Sequence, residues 1–284
     1  MVKKSGFSIQ LMAIIVLSCL FITGSPVMAQ KEAVKKPASG KQAATAEEKD
    51  KVTKALKKDK AEPRKVTFNA DDGLIMTGTY YPAKGEKVNA VVLAHNIQGS
   101  RKDWGALAAY LQGQGFSVLA YDLRGFGESA NKQDGEHLSH LGFTEEDYAK
   151  MIADMKHAVD FVATQDRVKK NFIGLVGADL GANVALNYAM DDERVKSVVL
   201  ISPNFNYKGI KTREAMLAYG KRPAMFCCSE GDIAPAHSSR KLHAMALGKK
   251  ELKLYKTGSG HGTEIIQAQV GIVHDIADWL KDTL

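Results

Sequence analysis

The sequence predicts an α/β domain with a mostly parallel central sheet and helices on both faces. From Ala90 onward, short apolar runs alternate with segments of helical periodicity, a pattern typical of βαβ units. Before them, two strand-like segments flank Asp71-Asp72-Gly73, which predicts an antiparallel hairpin at the start of the domain. Apolar runs such as 90–94 lack alternation, as expected for strands buried on both faces. We therefore assign residues 65–284 to one domain.

The predicted elements follow in chain order. The hairpin strands are 65–70 and 74–81. The later strands are 90–94, 117–121, 172–176, 195–201, 224–228 and 252–255, and the helices are 104–114, 145–164, 180–190, 237–247 and 265–280. The only insertion large enough to form a lid is 204–222, which is short. The lid is therefore expected to be minimal.

Residues 1–29 have the pattern of a secretory signal peptide. Lys3 and Lys4 precede an apolar run at 11–22, and Val27 and Ala29 supply small residues for cleavage after Ala29. The run is short for a membrane-spanning helix. We expect a periplasmic or secreted protein, and an uncleaved N-terminal membrane anchor is the alternative.

Residues 30–64 predict a flexible linker rich in Lys and Ala. Residues 31–65 hold twelve basic and six acidic side chains and no aromatic one, too little apolar surface to form a core. This linker either contacts an anionic membrane or cell-wall surface weakly, or is a passive spacer. The chain's net charge of +7 therefore belongs to its N-terminal part, since residues 66–284 hold 25 basic and 26 acidic residues. The domain's charge gives no reason to expect nucleic-acid binding.

The candidate site residues follow the ends of the predicted strands, where parallel sheets bind ligands. Gly177-Ala178-Asp179-Leu180-Gly181 lies between a strand and a helix and has the form G-x-nucleophile-x-G, in which small flanking residues permit a sharp turn. Asp232 follows the penultimate strand, and His261 follows the last one. His137 and His140 lie in a polar stretch and are interpreted as loop residues, so neither a metal nor a cofactor is expected.

These motifs make residues 65–284 resemble the α/β-hydrolase superfamily, with a core similar to serine hydrolases and dienelactone hydrolase but with Asp at the nucleophile position. The D-x-R-G-x-G-x-S stretch from Asp122 to Ser129 adds to the resemblance. It implies Asp179 as nucleophile, His261 as base and Asp232 as the acid that orients His261. It also implies an oxyanion hole built from the N–H of Leu180 and that of Asn96 or Ile97, which lie in the loop after the first parallel strand.

We call the strand-to-helix turn at Asp179 the elbow. An aspartate at this position changes the expected chemistry. A carboxylate is already ionised and attacks an sp³ carbon, giving an aspartyl ester that water activated by His261 then hydrolyses. Haloalkane dehalogenases and epoxide hydrolases of this superfamily act in this way. Epoxide hydrolases also use two tyrosines as proton donors, and the short insertion offers Tyr207 and Tyr219. The sequence thus favours a hydrolase of a small organic substrate.

Two other interpretations stay open. In the first, the protein has lost its serine nucleophile and serves as a binding or interaction protein of the cell envelope, with Asp179 and Asp232 holding His261 cationic. In the second, an esterase-like hydrolase uses a different nucleophile, with Ser129, Ser202 or Ser229 as candidates.

Overall fold

A computed structural model describes residues 62–256, 258–269 and 271–284. The predicted signal peptide and all but the last three residues of the predicted linker lie outside the described residues, so their boundaries stay predictions. Among the described residues there is no helix long and apolar enough to cross a membrane.

The strands of the described residues form one nine-stranded sheet and a separate two-stranded hairpin. The main sheet has the order β1-β2-β4-β3-β6-β7-β10-β11, and β5 pairs with β2. The strands are β1 Arg64–Asn69, β2 Leu74–Tyr81, β3 Val88–Ala94, β4 Ser117–Tyr121, β5 Asn131–Lys132, β6 Val168–Ala178, β7 Val195–Ile201, β8 Asn206–Tyr207, β9 Ile210–Lys211, β10 Ala224–Ser229 and β11 Lys250–Tyr255. β1 and β2 are antiparallel to their neighbours, whereas β4, β3, β6, β7, β10 and β11 pair in parallel. The sheet is therefore mixed and mostly parallel, as the sequence predicts.

Helices cover both faces of this sheet, and each face has its own apolar core. The helices are α1 Gly105–Gly113, α2 Glu145–Ala163, α3 Leu180–Ala189, α4 Arg213–Ala218, α5 Ile233–Met245, α6 Glu264–Ala268 and α7 Gly271–Thr283. α2 and α3 pack on one face with Met151, Val159 and Leu186, and α1 and α7 pack on the other with Leu107 and Ile276. Burial on both faces explains why the central strands consist of continuous apolar runs.

Two predicted helix boundaries near the site are wrong. α5 begins at Ile233 and not near 237, so it starts directly after Asp232. The predicted helix 265–280 is two helices, α6 and α7, because Gln269 between them has an extended backbone and its side-chain amide donates to Ser259 Oγ at 2.8 Å.

Candidate active site

Asp179 lies at the turn between β6 and α3, with a backbone φ of 50° and ψ of −111°. A positive φ is uncommon for residues other than glycine, and aspartate is among those that adopt it more often. The backbone N–H of Asp179 donates to the Ile201 carbonyl at 2.8 Å, and its carbonyl accepts from Ala182 and Asn183. The turn is thus fixed by β7 on one side and by the first turn of α3 on the other, and Asp179 itself is fully buried.

The glycines on either side of Asp179 allow this tight turn. A Cβ at Gly177 would overlap the Gly181 carbonyl, and a Cβ at Gly181 would overlap the Ala94 carbonyl oxygen. α3 can therefore pack closely against β6 and β3 only if Gly177 and Gly181, respectively, lack a side chain. This contact brings Asp179 against the loop that follows β3.

The structure brings together Asp179, His261 and Asp232. The Nδ1 atom of His261 lies 2.6 Å from Asp232 Oδ2, and its Nε2 lies 3.3 Å from Asp179 Oδ1. The His261 side chain is 38% exposed, whereas that of Asp179 is buried, so solvent reaches this Asp179–His261–Asp232 cluster from the histidine side. An imidazole between two carboxylates can carry a proton at both ring nitrogens.

This arrangement raises the pKa of His261 to about 9. The contact with the Asp179 carboxylate is the largest cause, and the bond to Asp232 adds to it, whereas partial burial opposes both. Because an opposite charge favours the charged form, His261 is a cation at neutral pH as long as Asp179 is ionised.

Of the three N–H groups predicted for an oxyanion hole, that of Ile97 contacts Asp179. Ile97 N–H donates to Asp179 Oδ2 at 3.3 Å. Leu180 is the first residue of α3, so its N–H has no acceptor within the helix and lies next to the elbow. The Asn96 carbonyl accepts from Gly99 N–H at 2.9 Å, and its side-chain Oδ1 accepts from Thr263 Oγ1 at 2.6 Å, so both groups hold the loop after β3.

The His95 side chain stabilises the loop that follows β3. Its Nε2 accepts from Leu123 N–H at 2.9 Å, so the proton lies on Nδ1, which donates to the Asn96 carbonyl at 2.7 Å. Complete burial lowers the pKa of His95, and the ring is neutral. His95 therefore ties the loop after β3 to the loop after β4.

Each of the three alternative serines forms a hydrogen bond with a group outside the Asp179–His261–Asp232 cluster. Ser129 Oγ accepts from Thr77 N–H at 2.9 Å, and Ser229 Oγ donates to the Lys256 carbonyl at 3.3 Å. Ser202, buried with a φ of 49°, accepts from Gly262 N–H at 3.1 Å. Ser202 thus holds the loop that carries His261.

Two residues of the short insertion lie near Asp179: Tyr207, which the sequence offers as a proton donor, and Asn204, which no motif contains. Asn204 Nδ2 lies 3.5 Å from Asp179 Oδ1. Tyr207 is half-buried, and burial together with the nearby Asp179 charge raises its pKa to about 12. Tyr219 instead is buried and donates to the Pro223 carbonyl at 3.0 Å, so it is not available to a substrate. Their place three to six residues after β7, at the ligand edge of the sheet, is the signal that points to Asn204 and Tyr207.

Within the described residues, no group of three or more His, Cys, Asp or Glu side chains is arranged to hold a metal ion. His140 Nδ1 instead lies 3.1 Å from the Gly125 carbonyl, and its ring stacks on Phe126 at 3.8 Å between centroids. His137 contacts Asn131 Oδ1 at 2.9 Å.

The strand order, the elbow and the helices on both faces define the chain as an α/β hydrolase by fold. Among solved structures, the α/β hydrolase GrgF of Penicillium sp. sh18 is similar with a TM-score of 0.64 and 18% identity, over 78% of this chain and 99% of that one. At this identity the likeness shows the fold alone.

The chain belongs to the family described as serine aminopeptidase, S33, whose profile matches residues 85–257. The polyketide transferase claH of Penicillium crustosum is 32% identical over 148 residues, which cover 49% of this chain and 44% of that protein. The thiohydrolase aneE of Aspergillus aculeatus is 30% identical over 141 residues, covering 49% of this chain and 41% of that protein. The chain thus spans about half the length of the curated relatives it matches. These relatives and the family support a hydrolase as the general class of this protein.

Proposed function

We propose that this hydrolase uses the Asp179 carboxylate as its nucleophile and acts on small organic electrophiles, with epoxides as the favoured class. The observation that carries the proposal is the position of the two carboxylate oxygens. Oδ2 accepts from the Ile97 N–H, and Oδ1 lies at His261 Nε2. One oxygen is thus held by a backbone donor, while the other lies on the side where His261 is exposed to solvent.

In the first step Asp179 Oδ1 attacks an epoxide carbon, and the carbon–oxygen bond of the ring breaks. The new alkoxide takes the phenolic proton of Tyr207, which the raised pKa keeps on the oxygen in the resting protein. The product is a hydroxyalkyl ester of Asp179. Tyr207 favours an oxygen leaving group over a halide because an alkoxide needs a proton and a halide does not.

Esterification then changes the charge beside His261. The ester is neutral, so the largest cause of the high pKa of His261 is lost, and the imidazole releases its extra proton to solvent. Neutral His261, oriented by Asp232, takes a proton from a water that attacks the ester carbonyl carbon. Ile97 and Leu180 N–H groups stabilise the oxyanion. When the ester C–O bond breaks, the leaving oxygen takes the proton from His261, which gives a diol and Asp179 as a carboxylic acid. The acid proton of Asp179 then returns to the Tyr207 phenolate, and His261 regains from solvent the proton it released, which restores the resting state.

A single turnover in ¹⁸O water tests this proposal, with styrene oxide as the probe and enzyme in excess. We expect ¹⁸O in the peptide that contains Asp179, because water attacks the carboxyl carbon. The peptide with Asp232 from the same digest serves as the internal control and stays unlabelled. Labelled diol with an unlabelled Asp179 peptide would rule out the covalent step.

A second candidate function is a binding protein that has lost catalysis. The burial of Asp179 and its contacts with Ile97, Asn204 and His261 favour it, because they also describe a stable ion cluster. In that case neither diol nor label forms, and Asp179→Ser gains hydrolysis of short acyl esters if the N–H groups still accept an oxyanion. Diol formation by the wild type would exclude it.

We also propose that the protein is exported, with cleavage after Ala29, and that residues 30–64 link the domain to the envelope. The basic start, the apolar run and the small residues before Ala29 support this. Mass spectrometry of the chain recovered from the envelope is expected to show that the mature protein begins at Gln30. If the linker contacts an anionic surface, deletion of residues 30–62 should release the domain from the envelope at low salt. If the linker is a passive spacer, the deletion should leave the amount of envelope-bound domain unchanged.

A further inference from the structure

A cleft of about 390 Å³ lies beside the short insertion. Its lining residues are Phe205, Arg213, His237, Lys241, Ala244 and Met245. The last four belong to α5 and are spaced so that they share one face of that helix. Phe205 and the start of α4 form the opposite wall. We call this feature the α5 cleft.

Both walls of the α5 cleft start at the Asp179–His261–Asp232 cluster. α5 begins with its N-cap at Asp232, and Phe205 directly follows Asn204, whose side chain reaches Asp179. Lys241 is nine residues after Asp232, which corresponds to roughly 13 Å along a helix. The cleft is therefore placed for the distant end of a molecule whose reacting carbon lies at Asp179.

Among the residues that the structure describes, the cations of the α5 cleft have no acidic partner. Within the described residues Arg213 forms no ion pair, and its guanidinium carbon lies 5.7 Å from the centre of the Phe205 ring. Lys241 likewise pairs with no carboxylate that the structure describes, and the lining contains no Asp or Glu. The lining thus combines two unpaired positive charges with the apolar surfaces of Phe205 and Met245.

Basic residues are concentrated in the two chain segments that supply the walls of this cleft. Residues 204–222 and 233–245 together hold seven Lys or Arg and one acidic residue, Glu214, for a net charge of +6. Since residues 66–284 have a net charge of −1, the rest of the domain carries −7. A surface that gathers one sign of charge raises the local concentration of ligands of the opposite sign.

We propose that the α5 cleft binds the anionic end of an elongated apolar substrate, with Arg213 and Lys241 at the anion and Phe205 and Met245 along the chain. The position of the reacting carbon rests on the proposed function, whereas anion binding does not. The ligand class is a carboxylate or phosphate on an alkyl or aryl chain.

Calorimetric titrations with decanoate, decyl phosphate and the neutral 1-decanol test this proposal on the wild-type protein. We expect at least one of the two anions to bind ten times or more tightly than decanol. The anion that binds more tightly shows whether the cleft prefers a carboxylate or a phosphate. Binding of the favoured anion weakens with added salt, and the His237 ring signals shift on binding. Equal affinities for decanol and both anions would overturn the proposal.

The double variant R213Q/K241Q is expected to lose tenfold or more of the affinity for the favoured anion and to keep its affinity for decanol. R240Q is the matched control, because Arg240 is an exposed cation of the same helix outside the lining. An equal loss in R240Q, or no loss in the double variant, would contradict the proposal. These ligands are unreactive and the labelling experiment uses neutral styrene oxide, so the two proposals can fail separately.

Discussion

Ile97 donates its backbone N–H to Oδ2 of Asp179 at 3.3 Å. A donor expected to stabilise an oxyanion is thus already bound to a negative oxygen in the resting protein. If serine occupied position 179, this N–H would be free to bind an oxyanion of the substrate. With aspartate it fixes the nucleophile and leaves Oδ1 beside His261, so the same donor serves both steps of the proposed reaction.

The first prediction concerns the charge on His261. Asp179→Asn removes the negative charge next to Nε2, so the pKa of His261 should fall from about 9 toward the ordinary 6.5. The expected fall is about one to two pH units. It is measured by NMR titration of the His261 ring. Asp278→Asn, which alters an exposed carboxylate on α7, is the control and should leave the titration unchanged.

The second prediction concerns stability against pH. Because the folded pKa of His261 is about 9 and the ordinary value is 6.5, its contribution is complete below pH 6.5 and is lost as pH rises through 9. The shift corresponds to roughly 3 kcal/mol, which we reduce to about 1–2 kcal/mol because the side chain is 38% exposed. Urea unfolding at pH 6 and pH 10 should show this additional loss in wild type and not in His261→Gln. Equal losses in both proteins would contradict it.

The third prediction tests the close approach of α3 to β3. Gly181→Ala places a Cβ against the Ala94 carbonyl, so we expect a loss of about 3 kcal/mol in the free energy of unfolding. Hydrolysis should fall as well, because the clash moves the loop that carries Ile97. Gly105→Ala is the matched control: nothing lies within 4 Å of its Cβ, and alanine at this helical position should stabilise the protein by about 0.5–1 kcal/mol. Similar effects of the two variants would show that the contact is unimportant.

The fourth prediction concerns the ion pairs of the loop after β4. The guanidinium of Arg101 contacts Asp122, which is fully buried, and also Glu128, which contacts Lys65. Arg101→Met leaves the Asp122 carboxylate buried without a cation, which should cost about 3–5 kcal/mol in urea unfolding. Lys65→Met removes an exposed charge from the same network and should change stability little. A small effect of Arg101→Met would mean that Asp122 is neutralised in another way.

The parallel part of the sheet could be predicted because its central strands are buried on both faces and therefore consist of continuous apolar runs. The boundary of α5 could not, because Ile233 and Ala234 at its start are exposed and add no periodicity. The break between α6 and α7 depends on the bond between Gln269 and Ser259, a contact that the local pattern does not contain.

The proximity of Asp179, Asp232 and His261 was expected because all three follow strands that end at one edge of the sheet. The contact of Ile97 N–H with Asp179 depends on the folded loop after β3, in which Gly99 N–H closes a turn on the Asn96 carbonyl and Thr263 contacts the Asn96 side chain. Asn204 and Tyr207 lie in an insertion without a motif, and their place just after β7, at the ligand edge of the sheet, is the one sequence signal for their nearness to Asp179. The roles of all these residues stay predictions until they are measured.

The place where the chain enters the sheet has a mechanical consequence. β1 is an edge strand joined to β2 alone, by six antiparallel residue pairs from Arg64–Tyr80 to Asn69–Ile75. A pull applied through the preceding residues acts first on these six pairs, because β1 is where that part of the chain joins the sheet. Detachment of β1 breaks no pair among the parallel strands around Asp179.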